Sequence, residues 1–196
     1  EVAGVVRTAP PGSDLAPGQR VTALAMLGGW AEQVSVPAAG VRPTADELDD
    51  AQAVALMGNY QTMYFALARR GALQSGETVL VLGAAGGIGV AGIQIAKALG
   101  ARVIAMVHRS EAMDFVSSLG ADVVLPLSDG WLQAVQQATD GRGVDLVVDP
   151  IGGEAFDDAI RGLATEGRLL VIGFASGGGI PTVKVNYLLL KNIEVS

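Results

Sequence analysis

Apolar positions follow two different rhythms along the 196-residue chain. Residues 1 to about 40 hold short apolar stretches cut by turn residues: Val2 to Thr8, Pro10-Pro11-Gly12-Ser13-Asp14, Val21 to Leu27, Gly28-Gly29 and Ala31 to Val36. No 3.6-residue period runs through them, which predicts strands and turns. The rhythm changes at Thr44. Thr44-Ala45-Asp46-Glu47 has the spacing of a capping box, in which Thr44 and Glu47 each satisfy a free amide of a first helical turn. A helix of about ten to fifteen residues is expected to follow, and Tyr60 to Ala68 is expected to be helical too.

From residue 73 strand and helix patterns alternate strictly. Strands are predicted at Thr78 to Leu82, Arg102 to Val107, Val123 to Pro126, Asp145 to Asp149 and Arg168 to Gly173, and helices at Ile88 to Leu99, Glu111 to Leu119, Trp131 to Thr139 and Glu154 to Leu163. Runs such as Val79-Leu80-Val81-Leu82 and Leu169-Leu170-Val171-Ile172 lack alternation, as strands covered on both faces do. Strands joined through helices of this length predict right-handed crossovers and a doubly wound, parallel α/β sheet. Thr78 to Ala96 is nineteen residues without a charge, yet its five glycines and its change of period make it strand, turn and helix rather than a membrane span. The chain opens inside a strand pattern without Met, and Ile193-Glu194-Val195-Ser196 reads as a strand just begun, so both ends are expected to be cut from a longer protein.

Composition narrows the function. Half of the residues are hydrophobic and 17% are charged, which excludes a disordered chain. Twenty-seven glycines, with no triplet period, must serve turns and close approaches. A net charge of −7 leaves no electrostatic footprint for nucleic acid. The absence of Cys removes disulfides, thiolate catalysis and Cys-ligated metal, and suits a cytoplasmic protein.

In a doubly wound sheet ligands bind beyond the carboxyl ends of the strands, so the strand-to-helix turns carry the chemistry. The first turn is Gly83-Ala84-Ala85-Gly86-Gly87-Ile88-Gly89. Gly86 would let a pyrophosphate approach the backbone at a helix amino end, where free N–H groups and partial positive charge collect. Gly89 and Gly92 would let that helix pack tightly on the sheet. Position 84, where the dinucleotide fingerprint has its first glycine, is Ala. The second strand ends in Met106-Val107-His108-Arg109-Ser110, with no acid before Glu111. An acid there would bond the ribose hydroxyls and repel a 2′-phosphate, whereas Arg109 offers a phosphate fork that His108 and Ser110 can supplement. The pattern favours NADP(H) over NAD(H); the alternative is that His108 and Arg109 only solvate a loop.

The order Gly29-Trp30-Ala31-Glu32, Thr62-Met63-Tyr64, Val79 through Gly89, Gly143-Val144-Asp145 through Asp149-Pro150-Ile151-Gly152-Gly153, and Gly167-Arg168-Leu169 through Gly173-Phe174-Ala175-Ser176-Gly177 resembles the zinc-independent quinone oxidoreductases, the zeta-crystallin-like group of the medium-chain dehydrogenase/reductase superfamily. The resemblance implies that residues 1–43 are the latter part of a GroES-like catalytic β-barrel, 44–72 connecting helices, and 73–196 a Rossmann domain lacking its end. It implies no structural zinc, because the four-cysteine lobe of zinc relatives shrinks here to Ala23-Leu24-Ala25-Met26-Leu27-Gly28, and the single His leaves almost no ligands for a catalytic zinc. It places Thr62 near the nicotinamide end or its phosphate, Ala85, Gly86, Gly87 and Ile88 around the pyrophosphate, Ile151 near the adenine or its ribose, and Phe174 and Ser176 beside the nicotinamide ribose. The bland alternatives are a helix-face hydroxyl for Thr62 and a core aromatic for Phe174. Two departures load the NADP reading onto Arg109: Ala112 stands where many relatives have Lys, and Leu127 where they have Tyr.

The remaining polar residues read as structure. Asp157 and Asp158 are adjacent and diverge on a helix, Asp140-Gly141-Arg142-Gly143 is a turn, and Asp149, beside Pro150, is expected to bond nearby amides. Tyr60 is a candidate lining residue of the cleft between barrel and Rossmann domain. No catalytic residue is assigned. The expected activity is NADPH-dependent hydride transfer to a quinone-like acceptor; the alternatives are reduction of an activated enal, enone or enoyl double bond, and a nucleotide-binding module without turnover. A homodimer through the edge at Ile193 to Ser196 is expected, since an apolar edge strand is a template for pairing.

Overall fold

A computed structural model describes residues 1–196, which form two compact units, Glu1–Gln61 and Thr62–Ser196. In the first, β1 (Val2–Val5), β2 (Arg20–Ala23) and β3 (Val41–Pro43) make an antiparallel sheet in that order, with Gly4 opposite Val21 and Thr22 opposite Arg42. The third strand is not the one the pattern predicts. Ala31 to Val36 is irregular and largely exposed, because no neighbouring strand takes up its amides, and a strand exists only as one side of a ladder.

The helix start also moves. Thr44 donates its amide to the carbonyl of Arg20, so it prolongs β3 instead of capping a helix. The capping box belongs to Asp49 and Gln52: the Asp49 carboxylate accepts the Gln52 amide at 2.7 Å and the Gln52 side chain accepts the Asp49 amide at 3.0 Å. Helix α1 (Asp50–Ala55) follows, fastened by the Arg20–Asp50 ion pair. Helical turns continue to Arg70 without a break, as a π segment (Leu56–Tyr60), α2 (Gln61–Tyr64) and a second π segment (Phe65–Arg70).

The second unit is the predicted doubly wound fold. Its strands are β4 (Thr78–Val81), β5 (Arg102–Val107), β6 (Val123–Pro126), β7 (Val144–Asp149), β8 (Leu163–Val171) and β9 (Glu194–Val195). All neighbours are parallel, in the order β6-β5-β4-β7-β8-β9. The intervening helices are α3 (Gly87–Ala98), α4 (Met113–Ser118), α5 (Trp131–Ala138), α6 (Ala155–Gly162) and α7 (Val185–Lys191). Strand β8 begins five residues before the predicted one and carries a bulge: Leu163 pairs with Val144 but Arg168 with Leu146, with Glu166 at φ +64° in the excess. No helix is long and apolar enough to cross a membrane.

The sheet is apolar on both faces, as the uninterrupted runs require. Leu80, Leu82, Ile104, Met106, Val147 and Leu169 pack with Trp131, Phe156 and Ile160 of α5 and α6. On the other face α3 lies against Val81, close enough that a side-chain carbon on Gly92 would touch both Val81 and Met63. Chain order reverses between β4 and β7, so the crevice for a ligand lies over that pair's carboxyl ends.

The amino ends of the same strands carry a charged network. Arg168, on β8, donates two N–H groups to Glu77 at 2.6 and 2.9 Å and a third to the Gly71 carbonyl. Asp145 accepts both Arg142 N–H groups and the Thr78 amide. Burial pushes the Glu77 carboxyl up, but the Arg168 and Gln74 hydrogen bonds outweigh it and hold the group below its ordinary value; the Arg142 fork does the same for Asp145. Arg168→Met, which leaves the Glu77 carboxylate without its fork, is expected to lower the unfolding free energy by about 2–4 kcal/mol. Because both carboxylates are depressed in the fold, their contribution is complete above the unfolded values of 4.5 and 3.8 and is lost as pH falls through the folded ones. Denaturant titrations near neutral pH and near pH 3 check this: the acid-induced loss should be smaller in the variant, and equal losses would contradict it.

Candidate functional site

The turn after β4 sits on the split between two strand neighbours. Leu82 donates its amide to Val148 of β7 at 3.1 Å, and two residues later Ala84 donates to Met106 of β5 at 3.0 Å. The chain must turn sharply between them, which Gly83 permits at φ +61°. Helix α3 then leaves with its backbone against that turn. A side-chain carbon on Gly89 would lie 2.5 Å from both Ala84 Cα and the Gly83 carbonyl oxygen, so only glycine fits.

What the helix offers depends on its cap position, Gly86. Its first internal bond is from Val90 to Gly86 at 2.9 Å, and no side chain caps it. The amides of Gly87, Ile88 and Gly89 therefore have no partner within the helix. Ala85, Gly86 and Gly87 are exposed, and a side-chain carbon on Gly86 would meet only the Gly83 carbonyl oxygen, at 3.4 Å. Gly86 is thus not required by packing, unlike Gly89.

Beyond the end of β5, His108, Arg109 and Ser110 are all exposed. Arg109 precedes a short 3₁₀ turn, Ser110–Ala112, and lines a shallow cleft with Glu111 and Ala112. Its guanidinium makes no ion pair, as is also true of the exposed Arg7, Arg69 and Arg70, whereas Arg20, Arg142, Arg161 and Arg168 pair with carboxylates.

Across the switch point, the loops after β7 and β8 are tied together. Ser176 donates its amide to the Ile151 carbonyl at 3.0 Å, and Ala175 donates to Pro150 at 3.1 Å. Ile151 reaches the glycine turn, its Cγ1 lying 3.4 Å from where a Gly83 side chain would begin. Phe174 is 47% exposed, too much for a core aromatic. Asp149 bonds nearby amides as expected, its Oδ1 accepting from Ile151 and Gly152 at 2.8 Å each. Its Oδ2 is buried without a partner, and burial raises the carboxyl above its ordinary value against the pull of those two amides.

Residues 85–88, 108–110, 151, 174 and 176 thus all lie on turns at the carboxyl ends of adjacent strands. Thr62 is on a helix rather than on a strand-end turn. It is exposed on α2, whose neighbouring Met63 is fully buried against Gly92 of α3. The coupling of the 150–153 and 172–176 loops leaves no mark in the sequence, because it depends on which strand lies beside which.

The donor set does not suit a metal. The chain holds no Cys and one His, and no three His, Asp or Glu side chains converge.

Residues 87–196 match the profile of the zinc-binding dehydrogenase family. Quinone oxidoreductase-like protein 2 of Bos taurus is 39% identical over 192 residues, 97% of this chain and 55% of the relative. The crystal structure of a probable oxidoreductase from Mycobacterium abscessus superposes with a TM-score of 0.87 at 59% identity, covering 98% of this chain and 57% of that one. The Escherichia coli quinone oxidoreductase in complex with NADPH gives 0.89 at 25% identity, covering 99% and 60%. The chain therefore spans little more than half the length of these relatives. A parallel sheet in this order, a glycine turn at its reversal point and a family match over more than half of the residues make this chain a member of the zinc-binding dehydrogenase family.

Proposed function

We propose that the chain is the nucleotide-binding part of an NADPH-dependent oxidoreductase whose acceptor is a quinone-like, electron-poor molecule. The observation that carries this reading is an uncapped helix start after β4, exposed at Ala85, Gly86 and Gly87, together with an exposed guanidinium without an ion pair after the neighbouring strand β5. Unpaired donors of this kind suit a pyrophosphate and a separate phosphate on one ligand. The NADPH carried by the Escherichia coli relative and the name of the bovine one support the same reading.

In this proposal Ala85, Gly86, Gly87 and Ile88 hold the pyrophosphate. Arg109, with His108 and Ser110, takes the 2′-phosphate, a task that Ala112 and Leu127 cannot share. Ile151 lies against the adenine or its ribose, Phe174 and Ser176 flank the nicotinamide ribose, and Thr62 serves the nicotinamide end. The bound nicotinamide supplies the hydride. The chain binds and orients it, while residues 1–43 form part of the acceptor barrel, 44–72 connect, and 73–196 bind the nucleotide. A cysteine-free chain suits the reducing cytoplasm, which is the proposed location. The free edge of β9 is the proposed seam of a homodimer.

Fluorescence titration tests the cofactor assignment. NADPH should bind more tightly than NADH, and Arg109→Ala should weaken NADPH alone by roughly ten- to a hundredfold, from about 1.5–3 kcal/mol for a charge-assisted bond. Gly86→Val, whose side chain the turn tolerates but a pyrophosphate would not, should remove binding of both while leaving thermal unfolding nearly unchanged; unaltered affinity in a folded variant would show that the loop holds no phosphate. NADPH oxidation by the full-length protein against paired quinone and enone panels tests the acceptor: faster turnover of enones moves the assignment to double-bond reduction, and none with either leaves a binding module. Light scattering of a form with the complete sixth strand should give a dimer mass, and a concentration-independent monomer would refute the seam.

A further inference from the structure

Asp149 is the last residue of β7, fully buried at the centre of the site's far wall. Four backbone amides converge on it. Its side-chain Oδ1 accepts from Ile151 and Gly152, as described above. Its main-chain carbonyl accepts from Ile172 at 2.8 Å and Gly173 at 3.4 Å, at the exit of the neighbouring strand β8. The loop after β7 and the loop after β8 therefore leave the sheet from one residue. They then bond each other through Ser176 to Ile151 and Ala175 to Pro150, and they pack so closely that a side-chain carbon on Gly153 would strike the Ser176 hydroxyl oxygen at 2.5 Å.

A buried carboxylate is costly in an apolar sheet unless something specific requires it. Here β7 reads Val144-Asp145-Leu146-Val147-Val148-Asp149, and a sixth apolar residue would cover the same space. What the carboxyl group supplies and an apolar side chain cannot is an acceptor for two amides of a turn that has no ladder to enter. Gly152 and Gly153 follow at φ +62° and +61°, a tight reversal whose amides would otherwise go unpaired.

We infer that Asp149 is a positioning residue: its Oδ1 sets the turn of Ile151 and Gly152, and through that turn the placement of Ile151, Phe174 and Ser176 around the nucleotide. Its consequence for affinity rests on the cofactor reading above; its geometry does not. Asp149 itself touches no ligand in this scheme. The acceptor matters rather than the charge, so an amide oxygen in the same place serves as well.

The test compares the chain with Asp149→Val and Asp149→Asn by two measurements. Val keeps the volume and strand character in a row of valines and removes the acceptor; Asn keeps an acceptor at Oδ1 and removes the charge. Site-resolved amide hydrogen exchange without cofactor should show Val lowering protection at Ile151, Gly152, Ala175 and Ser176 at least tenfold. Protection within β4 and β5 should stay unchanged, and Asn should keep all of these sites within about threefold of the parent. NADPH titration should show tenfold or greater weakening in Val and rescue in Asn. Unchanged loop exchange in Val, failure of Val to fold, or loss in Asn equal to that in Val would each overturn the inference. If the parent does not bind NADPH, the cofactor reading fails by itself, and the exchange data still decide whether Asp149 sets the turn.

Discussion

The site depends on one contact between backbones, that of Gly89 against Gly83 and Ala84. Where a helix follows a strand through a normal loop, side chains intervene and a Ser, Thr or Asp can cap the first turn. Here the approach leaves no room for a side chain on Gly89, and glycine at the cap position, Gly86, supplies no capping oxygen. The helix amino end is left with open donors beside the point where strand order reverses. The Leu82 and Ala84 amides, each given to a different neighbouring strand, keep the turn centred over that point.

Rigid ends flank this opening unequally. At the amino ends of β4, β7 and β8, Arg168, Glu77, Asp145 and Arg142 form a partly buried network that ties the segment before β4 to the sheet. At the carboxyl ends, order comes from backbone amides and one buried carboxyl group. The charged side chains of this network lie at the amino ends, while Arg109, at a carboxyl end, is left unpaired. This division suits a sheet whose one end is for holding together and whose other is for recognition.

Much of this was legible in the sequence, and the reason lies in burial. Val79 to Leu82 and Val103 to Val107 sit in the middle of a sheet covered on both faces, so their uninterrupted apolar runs could be read directly. The turns carrying the candidate residues followed from the strand ends. Failures arose where structure depended on partners. Ala31 to Val36 has a strand's composition but no ladder, and Thr44 has a cap's spacing but gives its amide to Arg20. Helix α7 went unread, with Val185, Leu189 and Leu190 exposed, because its apolar residues do not mark a buried stripe. The convergence of four amides on Asp149 could not be seen without knowing that β8 lies beside β7.

The two glycines that bracket the start of α3 answer to different masters. Gly89 is held by folding, since any side chain there would break the turn, whereas Gly86 has an ordinary backbone conformation and space for a carbon atom. Substitution at position 86 can therefore change what the turn offers to a ligand without changing the domain. A descendant chain that kept the fold would have to keep glycine at position 89, whereas position 86 could take a bulkier residue at no cost to the turn itself.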